Sequence, residues 1–507
     1  MDERLALVPF PAAVSVPAGD VARRVVASGR TLIVLDDDPT GTQSVADLPV
    51  LTGWTEADFD WAFGRNAPAV YVLTNTRSLS PTAAAERNRQ IVQSAVAAAA
   101  RHGLVLGFVS RGDSTLRGHY PLETDVIAEV LEELSGQTVD GVVIVPAFPD
   151  AGRVTIGGVH YMRGEDGLTP VAETEFARDS TFGYSHSDLP GYVQEKTLGR
   201  VMADDVVVLD LGIIRAGSAA IADALVAVSG STPIVADAVT EDDLRLLALG
   251  LDEAERRGKT LLYRVGPPFV RARIGQEKRA PLTVDEIFPG AEPNRGGGLI
   301  VVGSHVGVTT RQLAALRVAR PSAATVEIDV TRVVGTTSAG AYLADLVAEI
   351  VEHLRVTDVI VHTSRVLMKT DDPDASLQIS REVSAAVVTV VQGALAAHPP
   401  RFVIAKGGIT SSDVASLGLG IRHAIVRGPM LPGIVSLWEP TDGPAAGIPY
   451  IVFAGNVGDD DSLARVVQTL SAQPSGPTRS TPTGSTPTGS TQTSNTPTSS
   501  TPTGVPA

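Results

Sequence analysis

Short, almost wholly apolar runs recur along this chain, separated by longer stretches in which apolar residues return every third or fourth position. The runs Thr31–Leu35, Ala69–Thr74, Leu104–Val109 and Gly141–Pro146 read as buried strands, because a strand covered on both faces need not alternate. Between them, Thr82–Arg101 and Pro121–Leu134 carry apolar residues at helical spacing. The first of these opens at Ser80-Pro81 and stops at Gly103, a helix start and a helix stop. Further strands are predicted at Val206–Leu209, Pro233–Ala236 and Thr260–Val265. A rhythm of strand, helix and parallel strand predicts an α/β fold with helices on both faces of its sheets.

The rhythm breaks over residues 266–297, a stretch rich in proline and charge that ends in Gly296-Gly297-Gly298. It resumes with strands predicted at Leu299–Gly303, Thr325–Ile328, Asp358–His362, Phe402–Ala405, His423–Val426 and Tyr450–Phe453. Two α/β domains with mostly parallel sheets are therefore expected, over residues 1–280 and 296–472, with the boundary between 266 and 297. The cleft between two such domains is the default place for an active site. Residues 473–507 are Ser, Thr, Pro and Gly, with Ser-Thr-Pro-Thr-Gly recurring at 480–484 and 485–489. With almost nothing apolar to set against its ordering entropy, this C-terminal tail is expected to be disordered.

Composition narrows the function. The 507 residues include no cysteine, which excludes disulfides, catalytic thiols and cysteine-bearing zinc sites. Asp+Glu 57 against Lys+Arg 41 leaves a formal net charge of −16, so neither nucleic acid nor an anionic membrane is an expected partner. Residues 1–20 lack a basic segment followed by an apolar stretch, and no eighteen apolar residues run together. A cytoplasmic protein is expected.

Ligands of parallel sheets sit beyond the carboxyl ends of strands. The first strand runs into Asp36-Asp37-Asp38-Pro39-Thr40-Gly41-Thr42. Three adjacent carboxylates repel one another and call for a cation or for a ligand rich in hydroxyl donors, one of which could lose its proton to a carboxylate; an acidic turn capping a helix is the plainer alternative. After the third strand comes Ser110-Arg111-Gly112-Asp113-Ser114-Thr115-Leu116-Arg117-Gly118-His119, with guanidinium groups that suit a carboxylate or phosphate, or else a surface ion pair between Asp113 and Arg117. Thr74-Asn75-Thr76-Arg77 and Ala147-Phe148-Pro149-Asp150-Ala151-Gly152-Arg153 follow their own strands and present Arg77 and Arg153.

The second domain speaks of phosphate instead. Gly303-Ser304-His305-Val306-Gly307 and Lys406-Gly407-Gly408-Ile409-Thr410 each join a strand to a helix, and Phe453-Ala454-Gly455-Asn456-Val457-Gly458 repeats the idea. Backbone N–H groups at such turns receive anions. Three in one domain point to a nucleotide. G-x-x-x-x-G-K-[ST], a G-x-G-x-x-G joining a strand to a helix, H-E-x-x-H and G-x-S-x-G are all absent.

Asp36–Thr42, Asp113-Ser114-Thr115-Leu116-Arg117-Gly118, Pro146-Ala147-Phe148-Pro149 with Gly152-Arg153, Gly303-Ser304, Gly407-Gly408 and Gly455-Asn456 occur in an order that resembles the four-carbon acid sugar kinases, over about residues 30–470. The resemblance implies a sugar-acid-binding N-terminal domain and a nucleotide-binding C-terminal domain. It implies transfer of the γ-phosphate of ATP, with Mg²⁺, to a hydroxyl of a tetronate or 3-oxo-tetronate. By position, the substrate motif falls on Asp36, Asp37, Thr40 and Gly41, with Asp113 and Arg117 nearby, and the ATP contacts fall on Ser304, Gly407, Gly408, Ile409, Thr410 and Gly455. The expected mechanism places the acid's carboxylate on Arg117, helped by Arg111 or Arg153, with Arg77 also in the substrate loops and with hydroxyls on Asp36 and Asp37. Asp37 or Asp113 is the expected proton acceptor.

The chain departs from many members of that family in three places. Ile409 stands where they have an acidic residue, Arg111 where they have lysine, and Phe453-Ala454 where a lysine precedes the late Gly-Asn pair. The metal ligands therefore stay unassigned, with Asp413 or the group Asp371, Asp372 and Asp374 as substitutes. The expected partners are a small sugar acid and ATP, with a homo-oligomer left open. The alternatives are a non-catalytic two-domain binding protein and a sugar-acid dehydrogenase.

Overall fold

The computed structural model describes residues 1–289, 296–364 and 373–473, except the side chains of 373–377. From residue 474 the expected tail lies outside the described residues, as do Asp371, Asp372 and the side chain of Asp374.

The Val-, Ile- and Leu-rich runs form strands, as β-branched residues favour. The first lobe contains β1 (Arg30–Asp36), β2 (Leu48–Leu51), β3 (Ala69–Leu73), β4 (Val105–Arg111), β5 (Gly141–Val145), β6 (Arg153–Ile156), β7 (Val159–Gly164), β8 (Gly167–Pro170), β9 (Val207–Leu209), β10 (Thr232–Ala236) and β11 (Leu261–Val265). The second contains β12 (Leu299–Val302), β13 (Ala324–Ile328), β14 (Val359–Thr363), β15 (Val403–Lys406), β16 (His423–Leu431), β17 (Val435–Pro440) and β18 (Tyr450–Phe453). All but β6–β8 join one sheet, in the order β13-β14-β12-β15-β18-β17-β16-β2-β3-β1-β4-β11-β5-β10-β9.

This sheet has two parallel blocks, one per lobe, bridged by the antiparallel hairpin β16–β17. The hairpin pairs antiparallel with β2 on one side and β18 on the other. An antiparallel bridge reverses strand direction, so in a flat sheet the carboxyl ends of the two blocks would face opposite edges. β-bulges at Val426/Gly428 and Pro429/Leu431 break the hairpin register, and bulges bend a strand and increase its twist.

The residues after β1 cross this bridge. They form a 3₁₀ turn, Pro39–Ser44, whose first residue follows the capping carboxylate of Asp38. Thr42 lies in this turn, fully buried, and its hydroxyl shares a 2.8 Å bond with Ser436 Oγ and accepts a 2.9 Å bond from Trp438 Nε1, both on β17. A second clasp joins the lobes at the sheet edge. The buried Asp58 carboxylate accepts bonds from Arg422 Nη2 at 2.6 Å and His423 Nε2 at 2.8 Å, with Trp61 stacked on His423.

The pattern of the sequence does not predict β2, β17 or the small sheet β6–β8. β2 is four residues long and holds Pro49, and β17 and β7 mix polar with apolar residues in no regular period. The proline-rich break also opens on structure: Pro267–Arg273 is a helix with every residue buried in the first lobe, its prolines at the positions where a helix needs no N–H. One helix segment, Gln378–Ala397, is long and apolar enough to cross a membrane, contrary to the expectation that none would be. Its Ala386, Val390, Val391 and Ala394 lie in the core.

The small sheet holds a site loop. On β7 the fully buried His160 takes a 3.0 Å bond at Nδ1 from Thr155 Oγ1 and gives a 2.8 Å bond from Nε2 to the carbonyl of Ser114.

Replacing Thr42 by Val strands the Trp438 N–H and the Ser436 hydroxyl, and is expected to lower the free energy of denaturant unfolding by about 1–3 kcal/mol. Burial holds the His160 imidazole down at about 4, so the folded state keeps it neutral while the unfolded chain protonates it near 6.5. Its contribution is intact above pH 6.5 and is lost as pH falls toward 4, on the order of 3 kcal/mol. His160→Gln should flatten that acid limb in pH-dependent unfolding.

Candidate active site

A cavity of about 510 Å³ opens between the lobes, lined on one side by Asp38, Thr40, Arg77, Arg111, Asp113 and Arg117 and on the other by Gly408 and Ala454–Gly458. A Cβ added at Gly408 would lie 3.3 Å from Asp38 Oδ2 and meet nothing else within 4 Å. The acidic run and the paired-glycine turn therefore face each other across one cleft.

The acidic run divides its labour. Asp36 is buried and pairs with the Arg111 guanidinium, which also donates to the carbonyl of Asp38 at 2.6 Å. Burial pushes the Asp36 carboxyl up to about 7 against Arg111, and Asp37 and Asp38 add to the push. Asp37 is buried in a two-pronged pair with Arg77, at 2.6 and 3.2 Å. Neither Asp36 nor Asp37 reaches the cavity wall, contrary to their expected contact with substrate hydroxyls. Gly41 packs where a Cβ would strike both Arg111 and Asp36 at 2.3 Å, so its place is under the cluster rather than on the wall. Asp38 does reach the wall. It caps Thr40 with a 2.9 Å bond, and burial, which opposes its charge, is outweighed by Arg77 and Arg111, so the carboxyl sits below the ordinary range.

The Asp113–Gly118 loop wraps a guanidinium. Cβ atoms at Gly112 or Gly118 would lie within 2.5 Å of Arg264, and Arg264 is fixed by Glu123 at 2.6 Å and Ser110 at 2.8 Å. Leu116 takes a positive φ of 68°, a costly conformation for a branched side chain. Consecutive carbonyls hold it there: Ser114 O takes its bond from His160, Thr115 O from the Tyr184 hydroxyl and Leu116 O from the Tyr192 hydroxyl, both at 2.9 Å. Asp113 then meets Arg117 Nε at 2.6 Å. Burial resists its charge, but Arg77 and Arg117 hold the carboxyl well below its usual range.

Of the cavity's guanidinium groups, Arg77, Arg111 and Arg117 are each engaged by a carboxylate. Arg153 is not: among the described residues no carboxylate lies within salt-bridge distance, its Nη1 donates only to Ala151 O at 2.7 Å, and its Nε is buried without a partner. Burial pulls the Arg153 guanidinium down, and Asp113 offsets this only through space, so the group keeps donors open to an anion.

Across the cleft the three glycine loops converge on Ser304. Cβ atoms at Gly407 and Gly455 would lie 3.2 and 2.6 Å from Ser304 atoms, and one at Gly303 would lie 2.1 Å from Thr410 Oγ1. Gly407 has φ +125°, which only glycine takes readily. Ile409 is 58% exposed. The carbonyls of the 454–459 segment are drawn inward, Gly455 O by Thr309 Oγ1 at 2.7 Å, Val457 O and Asp459 O by Gln312 Nε2 at 3.0 and 2.7 Å. Where the resemblance leads one to look for lysine, Phe453 stands; its register partner on β15 is Lys406, whose ammonium lies 3.9 Å from the Phe453 ring centre.

Among the described residues no three His, Asp or Glu side chains gather as a metal cluster. Asp413 accepts a bond from Ser384 and is not on the cavity wall, so it does not supply the carboxylate that Ile409 replaces. The residues present do not form a protein cage for Mg²⁺, a cation that keeps much of its water and often rides on phosphates. His160, Tyr184, Tyr192, Lys406 and Gln312 were not singled out from the sequence. Each lies far along the chain from the loop it holds, and a lone buried polar residue leaves no local motif.

Residues 32–273 match the family model of a sugar-binding N-terminal domain, and residues 299–463 match that of a nucleotide-binding C-terminal domain. A D-erythronate kinase of Heliobacterium modesticaldum is 28% identical over 297 residues, covering 56% of this chain and 60% of that protein. A D-threonate kinase of Cupriavidus necator is 28% identical over 305 residues, covering 59% of this chain and 61% of that protein. The matched segments thus span about three-fifths of these two relatives. A D-threonate kinase of Bordetella bronchiseptica is 26% identical over 450 residues, covering 86% of this chain and 96% of the relative. Among solved structures, a protein of Salmonella typhimurium LT2 aligns with a TM-score of 0.62 at 19% identity, over 86% of this chain and 98% of that one. A Haemophilus influenzae protein aligns with a TM-score of 0.59 at 18% identity, over 86% and 100%. These two share the fold. The two domain models, which together cover most of the chain, and the kinase relatives place this chain in the four-carbon acid sugar kinase family.

Proposed function

We propose that this protein transfers the γ-phosphate of ATP to a hydroxyl of a four-carbon sugar acid. The observation that carries the reading is the juxtaposition of Asp38 and Gly408 across one cavity, a carboxylate and arginine wall against a wall of glycine turns. The kinase names of the relatives agree with it.

The acid's carboxylate binds Arg153, the cavity arginine that no carboxylate among the described residues engages, rather than Arg117, whose Nε is held by Asp113. ATP brings the phosphoryl group, with its phosphates on the backbone amides of Gly408, Gly455 and Asn456, which line the cavity. Phosphoryl transfer asks the protein mainly for positioning and charge neutralisation. Arg77 and Arg111, paired with Asp37 and Asp36, serve positioning by fixing the carboxylate wall of the cavity. Asp38 and Asp113 line the cavity and orient the acceptor hydroxyl, and Asp38, next to Gly408, is placed to take its proton. Held below the ordinary carboxylate range, Asp38 is a weak base, and in the loose transition state of phosphoryl transfer its main task is to orient the hydroxyl. Asp37, locked to Arg77, supports the wall from behind.

Purified protein with ATP and a panel of D- and L-threonate, D- and L-erythronate and their 3-oxo forms should release ADP only when one of these acids is present. Absence of acid-dependent ADP across the panel would refute the reading. Asp38→Asn should lower kcat by about 10²-fold or more with KM for the acid little changed, read in the same coupled assay. Arg153→Ala should raise KM for the acid by about tenfold or more while leaving KM for ATP unchanged.

A further inference from the structure

Lys406, the last residue of β15, is fully buried, yet among the described residues no carboxylate lies within salt-bridge reach of its ammonium. Its Nζ donates to the carbonyl of Ala454 at 2.7 Å and approaches that of Gly455 at 3.5 Å. Its own backbone carbonyl accepts from the N–H groups of Gly303 and Ser304, at 3.2 and 3.3 Å. One residue therefore touches two of the three loops that form the glycine wall, and the third begins at the next position.

The C=O and N–H of a trans peptide unit point in opposite directions. A carbonyl of Ala454 pinned inward by an ammonium turns the N–H of Gly455 outward, and a carbonyl of Gly455 pinned by Thr309 and Lys406 does the same for Asn456. Gly455 and Asn456 line the cavity, and among the described residues neither N–H has a protein acceptor. The ammonium also lies directly behind this pair, so its charge is felt by an anion in front of them with little water between.

We propose that Lys406 is a positioning residue for nucleotide phosphate: it aims the Gly455 and Asn456 amides into the cleft and supplies a buried positive charge behind them. This rests on the reading of the second lobe as the ATP-binding one. Burial alone pulls the Lys406 ammonium down to about 7, and no charged group on β12, β18 or the 454–458 segment reaches it; on the helix Gly408–Asp413, Asp413 is bonded to Ser384 instead. A bound phosphate restores its proton. By linkage, ATP affinity is fully present below pH 7 and falls as pH rises through that value.

Titration calorimetry of ATP into the full chain, without turnover, tests this. Wild-type Kd should rise about fivefold between pH 7.5 and 9, where the phosphates of ATP are already ionised. Lys406→Met should bind ATP about tenfold more weakly at pH 7 and lose that pH dependence, with sugar-acid affinity unchanged. A wild-type Kd that is flat from pH 7.5 to 9 overturns the proposal even if Lys406→Met does not fold, and so does a folded Lys406→Met that binds ATP as wild type does. If the wild type binds no ATP at any pH, the nucleotide reading fails and this proposal fails with it. If it binds ATP with a flat profile, only the role of Lys406 falls.

Discussion

The site depends on the anchoring of Thr42 in the opposite lobe. β1 ends in the first lobe, but the turn that follows it is fastened to Ser436 and Trp438 of the second lobe's hairpin. Because the two parallel blocks run in opposite directions, nothing in the sheet itself would bring their carboxyl ends together. The tethered turn carries Asp38 across the seam to Gly408. A buried hydroxyl that satisfies two polar partners at once is costly to lose, because both are then left without water or bond.

The two walls solve one problem in the same way. Each needs a loop of fixed shape without a rigid element inside it, and each obtains it by drawing loop carbonyls inward. His160, Tyr184 and Tyr192 hold Ser114, Thr115 and Leu116 in the first lobe; Lys406, Thr309 and Gln312 hold residues 454–459 in the second. The side chains that do this come from distant strands and helices, so the loops inherit the rigidity of the core.

Charge is arranged by the same economy of partners. Asp36, Asp37 and Asp113 pair with Arg111, Arg77 and Arg117, so that three ion pairs stand where the carboxylates alone would repel one another. What remains unpaired marks function better than what is merely charged. Among the described residues, Arg153 lines the cleft with no carboxylate in salt-bridge reach, and Lys406 sits behind the glycine wall with none either.

The amino-acid sequence determined the α/β class, most strands of both lobes, and the loops that carry the site, because these are local: apolar runs, helix caps and the residues that end a strand. Asp36-Asp37-Asp38 and Gly407-Gly408 were legible as candidate chemistry for the same reason. Short or mixed strands such as β2, β7 and β17 were not, since a half-apolar run of four to six residues has no period of its own. Nor could the sequence say that Asp38, and not Asp36 or Asp37, meets the cavity, or that of the arginines described on the cavity wall Arg153 is the one without a carboxylate. Successive residues at a strand end point in different directions, and which of them finds a partner is decided by side chains on other strand-end loops, such as Arg77 and Arg111. Only the tertiary structure, by crossing the lobes at Thr42 and burying Lys406 beneath Gly455, settled which of the candidate groups share one cleft.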